Sequence, residues 1–86
     1  MAARRILIRY PNRRLYDLDI SGYITLSHVR KLAVAGIPFV VRDSATRRDL
    51  TRETLLQVLL EMERAGRSGF SRDALLKGIR AGGRRR

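Results

Sequence analysis

One short stretch concentrates the side chains best suited to recognising another molecule: Arg9-Tyr10-Pro11-Asn12-Arg13-Arg14-Leu15-Tyr16-Asp17. The planar fork of arginine donates paired hydrogen bonds to phosphate oxygens or to a guanine edge, asparagine can pair bidentately with adenine, and tyrosine hydroxyls reach phosphates. Pro11 fixes a bend that would hold these groups outward with little loss of freedom. The bland alternative makes Tyr10, Leu15 and Tyr16 core residues and leaves Arg13 and Arg14 merely solvated. Composition alone does not decide between the two.

Charge placement bears on that choice. The formal net charge is +11, from 19 Lys+Arg against 8 Asp+Glu. Residues 1–16 carry five arginines and no acid, residues 67–86 carry seven bases against Asp73, and the middle of the chain is balanced. Basic ends flanking a neutral middle point to a polyanionic partner, and Arg47 and Arg48 add a weaker basic pair inside that middle. A proteome rich in arginine would explain the total but not the acid-free ends.

Other chemistries find little support. The chain has no cysteine and one histidine, His28, which removes disulfides and leaves too few ligands for a zinc centre. His28 falls in the first turn of an expected helix, where a surface or capping role is the simple reading. Asp17 and Asp19 flank a turn and read as turn-capping carboxylates. Thr46-Arg47-Arg48-Asp49 lacks the glycines of a phosphate cradle. No catalytic residue, metal or cofactor is therefore expected, and the chain reads as a non-enzyme. Ile6-Leu7-Ile8 is too short for a signal or membrane segment, so a cytoplasmic protein without membrane contact is expected.

The elements that must position the basic stretch follow from periodicity. Arg4 to Tyr10 alternates, with Ile6, Ile8 and Tyr10 on one face and Arg5, Leu7 and Arg9 on the other, as a half-buried strand does. Pro11 ends it. Arg14 to Leu18 forms a second strand, Asp19-Ile20-Ser21-Gly22 a turn, and Tyr23-Ile24-Thr25 a third strand. Ile37 to Arg42 is a fourth, with Pro38 at a strand start or edge, and Asp43-Ser44-Ala45-Thr46 turns the chain.

Three helix starts share one pattern, an apolar residue, a Thr or Ser cap, and an apolar residue four positions after the cap: Ile24-Thr25 with Val29, Leu50-Thr51 with Leu55, and Phe70-Ser71 with Leu75. The helices should end at Gly36, near Gly66 and near Gly82. The expected fold is α+β: a small antiparallel sheet of about three to four short strands, opening with a hairpin and packed with two to three helices.

The second helix, about residues 52–65, carries Leu55, Leu56, Val58, Leu59, Leu60 and Met62 over about 200° of its circumference, more than the ~100° stripe of a surface helix. It lies either under both the sheet and the third helix or in a subunit interface. With so thin a core, Leu55, Leu56, Leu59, Leu60 and Met62 are read as the contact of a homodimer or higher homo-oligomer. The third helix has a narrower stripe, Leu75, Leu76 and Ile79.

Tyr10 to Asp17, Ser21 to Leu26 with its Tyr23-Ile24-Thr25-Leu26, Phe39 to Asp43, Asp49 to Arg52, and Leu56 to Glu63 follow one another in an order that resembles the N-terminal DNA-binding domain of the polyhydroxyalkanoate synthesis repressors. The resemblance covers about residues 6 to 64, and the Tyr10 to Asp17 block is its most specific part. It implies a bacterial regulator that binds double-stranded promoter DNA of granule-associated and storage-polymer genes and is released by the polyester or its granules. It also implies nucleoid association. Residues 1–66 would then be the DNA-binding domain, 67–81 a helical extension and 82–86 a basic tail. On this chain the implied DNA surface is Arg9, Asn12, Arg13, Arg14 and Tyr16, with Arg47 and Arg48.

The sequence departs from the family pattern in three places. Arg47 and Arg48 stand where a glycine and an acid are expected in a strand-joining turn, and His28 replaces the acidic partner of the Thr25 cap. The sequence ends at Arg86, where the family continues into a region associated with polymer contact, so polymer sensing rests on a region these residues do not include. Two other functions fit the composition: a granule- or protein-interaction module using the apolar helix, and an RNA-binding basic protein.

Overall fold

The computed structural model describes residues 4–67 and 69–84. Its elements run β1 (Arg5–Arg9), β2 (Leu15–Asp17), β3 (Gly22–Ile24), α1 (Leu26–Val34), β4 (Phe39–Asp43), α2 (Thr51–Arg64) and α3 (Arg72–Arg84). The expected α+β fold with its N-terminal hairpin is present, as one four-stranded sheet in the order β3-β2-β1-β4. The sheet is mixed rather than antiparallel. β1 pairs antiparallel with β2, and β2 with β3, but β4 lies parallel to β1 with Leu7 opposite Val41. The helix α1 carries the chain beneath the sheet from the β3 edge to the opposite edge, and such a crossover returns a strand parallel.

One face of the sheet is covered. Leu7, Leu15 and Val41 meet Val29 and Leu32 of α1 and Val58 of α2 in the buried core, with Ile24, Leu26, Phe39, Leu50 and Met62 packed around them. Strand alternation sends Ile6, Ile8 and Tyr16 to the other face, which no helix covers. There Val40 is buried, but Ile6, Leu18 and Tyr23 remain exposed.

Asp17 is fully buried on the covered face. Its Oδ1 accepts the Asp19 N–H at 2.9 Å, so it does cap the turn. Its Oδ2 also lies 3.3 Å from His28 Nε2 and 3.7 Å from the Arg5 guanidinium. His28 is thus a half-buried side chain of α1 that faces a buried carboxylate of β2, although neither its Nε2 nor the Asp17 Oδ2 forms a hydrogen bond among the described residues.

The glycine stops end α1 and α2 in the same way. Gly36 and Gly66 are left-handed, with φ of 72° and 70°. Their N–H groups donate to Ala33 and Glu63, and the N–H groups of Ile37 and Arg67 donate to Leu32 and Met62, the paired bonds of a Schellman cap. The Ser71 hydroxyl caps α3 by accepting the Ala74 N–H at 3.1 Å. Neither Thr25 nor Thr51 caps its helix with its side chain. The Thr51 Oγ1 instead accepts the Val41 N–H at 2.8 Å, tying α2 to β4, and Asp49 Oδ1 takes the Thr51 N–H.

The helix α3 continues through Gly82 and Gly83, past its expected end, and residues 85–86 of the expected tail lie outside the described residues. No described side chain of α3 is buried, so it does not close over α2. Among the described residues no helix is long and apolar enough to cross a membrane.

Candidate nucleic-acid interface

The basic stretch folds into the β1–β2 hairpin loop. The Arg13 N–H donates to the Tyr10 carbonyl at 2.8 Å and the Tyr10 N–H to the Arg14 carbonyl at 2.9 Å. This is a three-residue loop, Pro11-Asn12-Arg13, whose last residue must be left-handed to rejoin the strand. Glycine is the easy residue there; this chain places Arg13, with φ of 68°. Asn12 supports the loop, its Oδ1 accepting the Arg14 N–H at 3.0 Å, which leaves its amide NH₂ to face outward as a donor.

A second basic turn emerges at the same end of the sheet. Arg9 and Asp43 are partners at the ends of the parallel pair β1/β4, and the Ser44 N–H donates to the Arg9 carbonyl at 2.9 Å. Asp43 builds this turn: its Oδ2 accepts the N–H groups of Ala45 and Thr46 and the Thr46 hydroxyl. Those bonds, the Thr46 N–H foremost, hold its carboxyl below the usual range. Asp49 is likewise lowered, first by the Thr51 hydroxyl and then by the Thr51 N–H. Both carboxylates are engaged within the turn rather than aimed at the arginines of the hairpin loop. Arg47 at the tip is again left-handed, φ 63°, and its carbonyl accepts from the Arg42 guanidinium at 3.3 Å.

The seven residues read from sequence as a DNA surface thus gather at one end of the sheet, on two sides of it. Arg9 and Arg13 border a groove against α2, lined also by Gln57, Leu60, Glu61 and Arg64. Arg14 turns the other way and lies over the Tyr23 ring at 4.3 Å, next to Tyr16. Arg13, Arg14 and Arg47 are exposed and form no ion pair with a carboxylate among the described residues. Arg48 differs, pairing with Glu53 at 3.5 Å, although both side chains remain largely solvated. Tyr23 and Arg42 were not singled out from sequence; only the register that sets Tyr23 beside Tyr16 and Arg42 beside Ile8 brings them in.

The expected oligomer contact divides. Leu55, Leu56 and Leu60 are exposed and Leu59 half-buried, forming an apolar outer face on α2. Met62 belongs elsewhere: it follows Thr54 and Val58 at four-residue spacing and packs against the chain's own core. Among the described residues no group of three His, Asp or Glu side chains could hold a metal ion.

The chain is 51% identical over 80 residues to an uncharacterized protein of Allochromatium vinosum, covering 93% of this chain and 52% of that one. It is 48% identical over 80 residues to a protein of Thiocystis violacea encoded in the phbA 5′ region, covering 93% and 58%. It thus spans a little over half the length of these curated relatives. No solved structure matches it. Residues 6–66, well over half of the chain, match the PHB/PHA accumulation regulator DNA-binding domain, and the chain belongs to that family.

Proposed function

We propose that the chain binds duplex DNA in a sequence-specific way, as the DNA-binding part of a repressor-type regulator of polyhydroxyalkanoate storage and granule-protein genes, with the two basic turns as its contact surface. The observation that carries the reading is the pair of left-handed arginines. Arg13 and Arg47 occupy the tips of adjacent turns in a backbone conformation that glycine adopts more easily; Ser21 of the β2–β3 turn shares it, but only at these two positions is the side chain a cation, and backbone strain of this kind collects at functional sites. A two-stranded ribbon fits the major groove. With its loop inserted there, Arg13 and Asn12 face base edges while Arg9, Arg14, Tyr16, Arg47 and Arg48 reach phosphates. Three arginines, Arg9, Arg13 and Arg64, outnumber the one carboxylate of the groove against α2, Glu61, which favours that approach over bare solvation.

Half-sites would be bound by a homodimer or higher homo-oligomer built on Leu55, Leu56, Leu59 and Leu60, since an apolar outer helix face is otherwise left in water. The same apolar face, with the exposed Leu75, Leu76 and Ile79 of α3 as a separate stripe, is the feature that favours contact with polyester granules as a second role.

Selection of bound duplexes from a random pool at near-physiological salt tests the reading, followed by Arg13→Ala and Arg14→Ala on the selected site and on random duplex. A base-reading arginine loses about 1–3 kcal/mol on the selected site alone, and a phosphate-binding one loses affinity on both. Retention should fall steeply with salt. A pool that yields no consensus ends the sequence-specific reading; salt-insensitive retention, or sedimentation with granules but not duplex, ends the DNA reading.

A further inference from the structure

The uncovered face of the sheet holds side chains for which the duplex reading has no use. All three tyrosines of the chain meet there. Tyr23 is the hub: its ring centroid lies 5.2 Å from that of Tyr16, with the planes at 84°, and 6.3 Å from that of Tyr10, at 55°. Tyr16 and Tyr23 thus meet edge to face rather than stacked on each other. Arg14 sits over Tyr23, and Ile6, Ile8 and Leu18 continue the apolar floor to Arg42 and Arg47. Tyr23 is 57% exposed on an edge strand. The carboxylate in this groove, Asp43, is already held by Ala45 and Thr46.

An occupant must offer flat apolar surface and regularly spaced negative charge together. A second copy of the same face would set arginines against arginines. Duplex DNA offers phosphates but keeps the faces of its bases stacked on one another. A single strand presents both, and aromatic rings beside arginines are the means by which sheets hold unpaired bases.

We infer that this face binds single-stranded nucleic acid, stacking unpaired bases on Tyr23, Tyr10 and Tyr16 while Arg14, Arg42 and Arg47 take the phosphates. The site shares Arg14, Tyr16 and Arg47 with the duplex surface but does not depend on that surface binding a duplex.

The chain has no tryptophan, so its ultraviolet emission comes from these three tyrosines, and a base stacking on them quenches it. The test titrates the whole chain with cytidine oligomers of about twelve nucleotides, in deoxy and ribo form, and with a duplex, following oligomer anisotropy and tyrosine emission together. Either single strand should bind with quenching; the two sugar forms distinguish DNA from RNA. Tyr23→Leu should lower single-strand affinity about tenfold or more, and Tyr23→Phe, which keeps the ring, should restore it. Duplex binding without oligomer binding overturns this inference and spares the duplex reading; oligomer binding without duplex binding does the reverse. Oligomer binding that leaves emission unchanged, or that survives Tyr23→Leu, also overturns it. So does a Tyr23→Leu chain that loses self-association instead of strand affinity, since a second copy would then be the occupant.

Discussion

The two faces of one sheet differ in what they bury. On the covered face Leu7 stands between Arg5 and Arg9 and is fully buried beneath α1 and α2, beside a buried carboxylate. One residue along, Ile6 is 39% exposed on the open face, and across the sheet Tyr23 and Leu18 are more exposed still. Alternation along a single strand therefore buries one side beneath the helices and leaves most of the other in solvent. The arginines follow the same division, with Arg13 beside α2 and Arg14 above the tyrosines.

The strongest way to break the covered face is at its charge. Asp17→Ala removes the acceptor of the Asp19 N–H and the buried charge that faces His28 and Arg5, although Arg5 keeps its hydrogen bond to Asp19. It should destabilise the fold by about 3–5 kcal/mol in urea denaturation, whereas Asp19→Ala, at an exposed carboxylate, should lose under about 1 kcal/mol. A comparably small loss for Asp17 would mean that water reaches the pair. Next in size, Leu7→Ala should lose about 2–5 kcal/mol by cavity formation. Ile6→Ala should lose less than about 1 kcal/mol, because much of its surface stays in water. Equal losses would place a second packed layer on the open face.

The smallest effect is acid sensitivity at the second turn. Asp43 and Asp49 are held below the usual carboxyl range in the folded chain, so the stability they contribute is complete above about pH 4 and is lost as pH falls through their lowered values. Thermal melts should drop on that acid limb, and Asp43→Asn should make the drop shallower. A drop centred near pH 6 would assign it to another group.

Much of this architecture was legible because local rules decided it. Pro11 ended β1, Gly36 and Gly66 terminated helices through their left-handed backbones, and Ser71 capped α3. What escaped depended on partners distant in sequence. Alternation separated Ile6 and Ile8 from Leu7 without telling which side faces the helices, and two arginines flanking Leu7 disguised the core strand. The direction of β4 follows from where α1 crosses, which no local pattern encodes. Thr51 carried a capping signal, yet its hydroxyl serves Val41. At the interface, the Arg9 to Tyr16 stretch was visible as a contiguous run. Tyr23 and Arg42 were not, since their nearness to Tyr16 and Ile8 is a matter of register.

The most direct measurement is made on Arg13→Gly. Glycine relieves the left-handed backbone at the hairpin tip and should raise folding stability by about 0.5–1 kcal/mol. If the arginine is kept there to contact DNA, the same variant should bind a selected duplex about five- to a hundredfold more weakly. A chain that becomes more stable and binds duplex as well as before would show that Arg13 makes no contact with DNA.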